Sequence, residues 1–360
     1  EAAAQLLMAV RRGAVEPVAL VALGSRLAAQ GGHGQGQLAA KRAAHRWFMY
    51  NESAAVNSLL LRDAPDQVLD VPASGLVEWV STPSPGEYSY FTGSLRQLWP
   101  ELATDLAAEH GAATHVSGWV ASVGSGTRAH YDAFDNTIFQ LDGAKRLRAW
   151  LPEQHLSLHV FPDCHPRARK SQVDPDEPLD PRFPLFAAAE PIVDVVLQPG
   201  DAIDVPAFTF HELQTVGDQP SFSANVFRPS LAASHAARAF ARRPPPPAQV
   251  VPLVAALFAA TAPKSFASAL LGSRFSPLFP SGPPEFALPE PAALSTCPDL
   301  GPWIDAVDEI RALTGDGVAE LVVAHLAELW AVHAFQDPTA VMPVLAAVES
   351  SEPGSRVARP

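Results

Sequence analysis

Between Val77 and Pro229 the apolar residues come in short runs, each cut off by proline, glycine or aspartate. This segmentation constrains the fold more than any other feature of the chain. The clearest runs are Val116 to Val123, Thr137 to Leu141, Arg146 to Leu151, Ile192 to Gln198, Ala202 to Val205 and Ser221 to Phe227. They have the length of strands, and turn residues separate them without the long helical crossover that parallel strands require. The segment therefore predicts an antiparallel β barrel or sandwich, a mainly β core with helical additions on either side.

The flanks read differently. Ala2 to Arg12 and Pro17 to Gln30 have helical texture, broken at Gly13 and stopped by Gly31-Gly32, and a third helix is expected over Leu38 to Tyr50. Past Pro229, Arg242-Arg243 and the prolines 244–247 predict a stiff linker. Helices are expected over Ile304 to Leu313 and Gly317 to His333. The second carries Val318, Leu321, Val322, His325, Leu326, Leu329 and Trp330 along one stripe. The expected organisation is a mostly helical region 1–85, a β domain 86–230, a Pro-rich linker 231–250 and a helical region 251–350.

Composition excludes several classes of protein. With 360 residues, 48% of them apolar and 18% charged, the chain can bury a real core and is not disordered. A net charge of −13 argues against holding nucleic acid by bulk electrostatics. Two cysteines, Cys164 and Cys297, support neither a disulfide scaffold nor a Cys-rich zinc module. No uninterrupted apolar run approaches the roughly 20 residues that span a bilayer, so no membrane partner is expected. The best stretch, Val250 to Ala262, contains Pro252. The first residue is Glu1 rather than Met, as after removal of a leader. An intracellular location, cytoplasmic or nuclear, is the expectation.

The chemistry-bearing residues lie between Gly124 and Phe227. His130-Tyr131-Asp132 places an imidazole and a carboxylate two residues apart, on one face if the segment is a strand. A third ligand, His211, stands 81 positions later. Two histidines and one carboxylate on a metal leave three adjacent coordination positions open, the set used by non-haem Fe(II) oxygenases. In a chain with 12 histidines a lone His-x-Asp is weak, and a surface pair would explain it equally well.

A second signal lies in Lys145-Arg146-Leu147-Arg148-Ala149-Trp150-Leu151. Period two puts Lys145 with Leu147, Ala149 and Leu151, the apolar side, so an ammonium group is expected inside the barrel. A buried ammonium is costly unless an anion meets it, which points to a carboxylate ligand. The alternative is a strand-end lysine reaching solvent. On the last strand Ser221, Ser223, Asn225 and Phe227 share one face, and parity leaves open whether that face is solvated or lines a pocket.

These residues resemble a known family. Gly126-Thr127-Arg128-Ala129-His130-Tyr131-Asp132, Asn136, Phe139-Gln140, Gly143-x-Lys145 and Leu151-Pro152 are similar to the JmjC and cupin-like 2-oxoglutarate oxygenases. So are His165-Pro166, Ser171-Gln172-Val173-Asp174, Arg182-Phe183-Pro184, Pro199-Gly200-Asp201, Val205-Pro206, His211 and Asn225. Within that family the motifs most resemble the asparaginyl hydroxylase called factor inhibiting hypoxia-inducible factor and the small JmjC hydroxylases. The likeness covers roughly Tyr88 to Pro229.

The resemblance implies a double-stranded β-helix, a jelly-roll or cupin barrel. It implies Fe(II) held by His130, Asp132 and His211, with 2-oxoglutarate as co-substrate and O₂ as oxidant. Lys145 would meet the far carboxylate of 2-oxoglutarate, with Thr127 and Tyr90 offering hydroxyls and Asn136 and Asn225 amides. The implied reaction is hydroxylation of a C–H bond, with succinate and CO₂ as co-products and a protein or peptide as substrate. N-methyl-lysine demethylation and RNA-base hydroxylation are the alternatives, followed by a non-catalytic cupin binding protein. Ala133 and Phe227 depart from the asparaginyl-hydroxylase pattern and bear on the substrate. The resemblance also implies a homodimer through the C-terminal helices.

Other clusters invite blander readings. His155, His159, His165 and Cys164 are expected in a loop rather than as a zinc site. Arg167, Arg169 and Lys170 are expected to form a solvated face, with contact to an acidic substrate as the alternative, and His325 and His333 are expected to be packing residues.

Overall fold

The computed structural model describes residues 8–30, 37–44, 46–47, 67–110, 115–282, 285–290 and 299–351. The chain forms two compact units. The first takes its described residues up to Trp150 together with Pro191–Ser230, and the second takes Leu151–Glu190 and the residues from Leu231 onward.

The first unit begins with β1 (Val10–Arg11), α1 (Leu20–Gln30), β2 (Gln37–Ala43), β3 (Gln67–Pro72), α2 (Leu76–Ser81), β4 (Tyr88–Ser94), α3 (Leu95–Leu98) and α4 (Pro100–Ala107). It continues through β5 (His115–Ala121), β6 (Gly126–His130), β7 (Phe134–Asp142) and β8 (Ala144–Trp150). It ends with β9 (Val193–Leu197), β10 (Ala202–Val205), β11 (Phe210–Val216) and β12 (Ser221–Pro229). These strands make an eight-stranded sheet, ordered β1-β10-β7-β12-β5-β4-β2-β3, and a four-stranded sheet, β6-β11-β8-β9. Every pairing is antiparallel.

Alternation along the strands sets the two layers of core. Phe222, Ala224 and Val226 of β12, with Val116 and Val120 of β5 and Phe91 of β4, point to one face of the large sheet. There α1 contributes Leu20, Leu23 and Leu27, α2 Leu76 and Val80, and α3 and α4 Leu95, Leu102 and Leu106, all at helical spacing. On the opposite face Ile138, Ile203 and Val205 meet Leu147, Ala149 and Leu197 of the small sheet. Burying each such side chain is worth about 1.5–3 kcal/mol, so both faces of the large sheet hold the unit together.

The expected mostly helical region 1–85 is instead mixed. Val10–Arg11 is a strand on β10, and Leu38 to Ala43, expected as helix, is a strand between β3 and β4. Leu-Ala-Ala-Lys-Arg-Ala has helix-forming composition, but β3 and β4 pair with it on both sides, and pairing overrides propensity. Residues 1–7 and 48–50 of those expected helices lie outside the described residues. The β domain is also not the continuous 86–230 block expected, because Leu151–Glu190 belongs to the other unit.

The second unit holds α5 (Leu231–Phe240), α6 (Pro247–Thr261), α7 (Phe266–Leu270), α8 (Gly301–Thr314), α9 (Asp316–Phe335) and α10 (Val341–Ser351). The expected linker 231–250 is thus largely helix. Ala232, Ala236 and Ala239 bury one side of α5, α6 begins at Pro247, and only residues 241–246 lie outside the two helices. The expected helices at 304–313 and 317–333 are present as α8 and α9, where Trp303 meets Trp330 edge-on at 5.2 Å. Contrary to the sequence expectation, α9 has the length and apolarity to cross a bilayer, the only single helix to do so among the described residues, with 61% of its window buried. It also carries Glu328 into a buried cluster: Arg274, within a π-turn at Leu271–Phe275, contacts Glu328 at 2.8 Å and Asp163 at 3.4 Å. His325, expected to be only a packing residue, pairs with Asp163 at 3.3 Å and packs on Phe240.

Candidate metal centre

β11 organises the site. It lies between β6 and β8, with His211 opposite both His130 and Ala149, Leu213 opposite Thr127 and Leu147, and Thr215 opposite Lys145. His211 and Lys145 therefore face inward from adjacent strands, two pleat repeats apart, about 13 Å along the ladder. On β6 the spacing from Thr127 to His130 is odd, so strict alternation would turn one of them outward. A bulge between His211 and Leu213 takes up the extra residue, and Thr127 and His130 both accompany the inward face of β11.

Ligand atoms of His130, Asp132 and His211 lie within 4.8 Å of one another. The two imidazoles are 4.3 Å apart between ring centroids, and His211 Nε2 is 3.8 Å from Asp132 Oδ2. Nδ1 of His130 lies 2.9 Å from the carbonyl of Arg128, and Nδ1 of His211 3.0 Å from that of Thr209. A carbonyl can only accept, so both Nδ1 atoms carry the proton and both Nε2 lone pairs are free for a metal. Asp132 is not on the strand, as the sequence reading had it. β6 ends at His130, and the following loop is pinned by Phe208 N–H donating to the Asp132 carbonyl at 2.7 Å. Phe208 does this from a left-handed conformation (φ 65°) while its ring packs on Tyr131.

The inward face of the large sheet is polar at the same depth. Lys145 is buried and its ammonium donates to Ser223 Oγ at 2.6 Å, and Thr215 and Ser221 share a 2.7 Å hydrogen bond. Burial lowers the Lys145 pKa to about 7. No carboxylate pairs with Lys145 among the described residues, and a diacid fits there because it returns the charge that burial penalises. The face of Ser221, Ser223 and Asn225, left open by parity, is the inner one. Asn225 donates from Nδ2 to Asn136 Oδ1 at 3.2 Å, while the buried Nδ2 of Asn136 has no hydrogen-bond partner. Tyr90 lies opposite Ala121 in the row that contains Ser221, and packs on Trp119 at 5.6 Å. Burial pushes its hydroxyl pKa well up, and the charge of Asp132 adds to the rise.

All eight sequence-selected residues therefore face one interior. The sequence reading missed Lys41, which is 8% exposed and lies opposite Tyr90 on the same face, so Lys145 is not alone there as a cation. It also missed the Lys145–Ser223 contact. The His155, His159, His165 and Cys164 segment brings no metal cluster together among the described residues. His155 pairs with Glu320, His159 with the Ser273 carbonyl, and His165 stacks on Phe161.

A donor set of two neutral imidazoles and a carboxylate suits a divalent first-row metal, and the orphaned amide and buried ammonium suit an anionic co-ligand. Several known proteins resemble this chain in part. The zebrafish (Danio rerio) tRNA wybutosine-synthesizing protein 5 is 32% identical over 146 residues, 37% of this chain and 40% of that protein. JmjC domain-containing protein D of Dictyostelium discoideum is 25% identical over 108 residues, 30% of this chain and 23% of that protein. The chain thus spans less than half the length of these relatives. Among solved structures, the Escherichia coli ribosomal oxygenase YcfD superposes with a TM-score of 0.37 at 16% identity, covering 85% of this chain and 62% of that one. The cupin-like domain model matches residues 75–230, the stretch that contains all three candidate ligands. That match spans less than half of the chain.

Proposed function

We propose that this protein is an Fe(II)- and 2-oxoglutarate-dependent oxygenase that hydroxylates a C–H bond. The observation that carries the proposal is the convergence of His130, Asp132 and His211 in the same interior as the buried ammonium of Lys145. Bound there, ferrous iron supplies the coupled oxidation in which O₂ and 2-oxoglutarate give succinate, CO₂ and one oxygen atom inserted into the substrate. The chain's part is placement. His130 and His211 offer Nε2 because the carbonyls two residues upstream hold Nδ1, and Asp132 offers a carboxylate from a pinned loop. Lys145 would pair with the far carboxylate of the co-substrate, with Thr127 and Tyr90 as hydroxyl neighbours and Asn136 and Asn225 offering amides.

The test is anaerobic titration with Fe(II) and 2-oxoglutarate, which is expected to give a weak visible charge-transfer band that is lost in His130→Ala. Folded wild-type protein without that band would sink the proposal. The sequence motifs favour a protein side chain as substrate. A base of RNA is a second reading, favoured by the wybutosine-synthesizing relatives. Succinate release across peptide and tRNA panels, followed by mass spectrometry for one added oxygen, separates the two. A homodimer through the C-terminal helices is part of the same proposal and is tested by light scattering in solution.

A further inference from the structure

Gln140 of β7 has no part in the metal centre or among the residues proposed for the co-substrate, yet it is a fully buried polar side chain. It lies opposite Ser223 of β12, the residue whose hydroxyl accepts from the Lys145 ammonium, and so shares the inward face with it. One end of its carboxamide is committed. Nε2 donates to the carbonyls of Asp142 at 2.6 Å and Gly143 at 3.2 Å. Carbonyls only accept, so the amide cannot be turned round, and Oε1 is directed away from them. That oxygen is buried and has no hydrogen-bond partner. In a pure packing role both ends of a buried carboxamide are ordinarily satisfied.

The turn that Gln140 clamps is the one that delivers Lys145. β7 ends at Asp142, β8 begins at Ala144, and Gly143 between them turns at φ 62°. A bulge precedes the turn: Gln140 is opposite Ser223 and Asp142 opposite Phe222, so two steps of β7 answer one step of β12. The extra residue sends both Leu141 and Asp142 to the helix-covered face. Leu141 joins the core there, and Asp142 accepts from the Leu20 N–H at the start of α1 (2.5 Å) and from the Gly143 N–H (2.9 Å). The turn is thus held from both faces, by a carboxylate outside and a carboxamide inside. Asp142 ties it to α1, whereas Gln140 ties it to the row where the ammonium rests.

We propose that Gln140 is a positioning residue for the co-substrate: by clamping the Asp142-Gly143 turn from the inward face, it fixes the depth at which the Lys145 ammonium meets the far carboxylate of a 2-oxo diacid. This deepens the oxygenase reading, on which it rests. Gln140 acts through Lys145, two residues beyond the clamped Gly143, and a small shift of that turn carries the ammonium out of register with a ligand anchored at the metal. The metal ligands stand elsewhere, on the His211 row two pleats away and around the end of β6. Chelators therefore divide into two kinds: one that carries a far carboxylate feels Gln140, and one that lacks it does not.

The test uses the full chain loaded with Mn(II), so that no turnover occurs, and compares two chelators by calorimetric titration: 2-oxoglutarate, and oxalate, which has no far carboxylate. Gln140→Met keeps the length of the side chain but gives up both hydrogen bonds to the turn. It is expected to weaken 2-oxoglutarate about tenfold, while oxalate and Mn(II) itself bind within about twofold of wild type. If Gln140→Met does not fold, Gln140→Asn, polar but one carbon too short for the two carbonyls, is read in the same way. Unchanged 2-oxoglutarate affinity overturns the proposal. So does an equal loss for oxalate and 2-oxoglutarate, which would make Gln140 a residue of the fold alone. Wild-type protein that holds Mn(II) yet binds neither chelator strikes the oxygenase reading instead.

Discussion

Replacing Lys145 by methionine should stabilise the ligand-free protein at neutral and lower pH. The side chain is buried, its ammonium meets only a neutral hydroxyl among the described groups, and its pKa falls to about 7 from an ordinary 10.5. Between those two pH values the unfolded chain binds the proton that the folded chain does not, so stability rises with pH across that window. Below about pH 7 the full cost is present. At about 1.36 kcal/mol per unit, a 3.5-unit depression sets a ceiling of about 5 kcal/mol. Methionine does not titrate and is close in volume, but it leaves the Ser223 hydroxyl without its donor, which returns about 1–2 kcal/mol. The expected net gain is therefore about 3 kcal/mol at pH 6, shrinking to nothing or reversing by pH 10. Urea unfolding of both proteins at pH 6, 8 and 9.5 measures it. A pH-independent difference, or a variant less stable at pH 6, would refute a charged lysine held against burial. The same variant should lose the thermal stabilisation that Mn(II) with 2-oxoglutarate gives the wild type.

Other outcomes follow from the same geometry. Because the diacid needs the ammonium form, 2-oxoglutarate affinity should fall about tenfold per pH unit above pH 7 in calorimetric titrations, reflecting proton uptake on binding. His211→Ala should weaken Mn(II) or Co(II) binding by more than about 100-fold in equilibrium dialysis, since even losing a ligand's supporting hydrogen bond costs 10- to 100-fold. Arg274→Met leaves Asp163 and Glu328 buried without their shared cation and should cost about 3–5 kcal/mol in urea unfolding. Gly143→Ala, at φ 62° with a new methyl driven into the Pro220 carbonyl, should cost at least about 1–2 kcal/mol and weaken 2-oxoglutarate binding through the turn that leads to Lys145.

The parts of the site legible in the sequence were those written in local alternation. Lys145 sharing a face with Leu147 and Ala149 raised an interior ammonium as one of two readings, and the short runs pointed to an antiparallel barrel or sandwich. Thr127 is the instructive opposite. Its odd spacing from His130 argues against a shared face, and only a bulge that depends on the partner strand restores it. Lys41 went unread because Leu38 to Ala43 has helical composition, and its strand exists only where β3 and β4 flank it. The affiliation of Leu151–Glu190 with the helical unit was equally invisible. It rests on contacts such as His159 with Ser273 and Gln172 with the Arg274 carbonyl, more than 100 residues apart.

The two imidazoles owe their orientation to nearby peptide carbonyls, those of Arg128 and Thr209, two residues upstream in each case. A carboxylate in that role could be lost by a single codon change, whereas a carbonyl persists whatever side chain its residue bears. Positions 128 and 209 are thus free to drift, or to be recruited for other tasks, without scrambling the tautomers. A lineage with this arrangement can remodel the surroundings of its metal while the metal's grip stays constant.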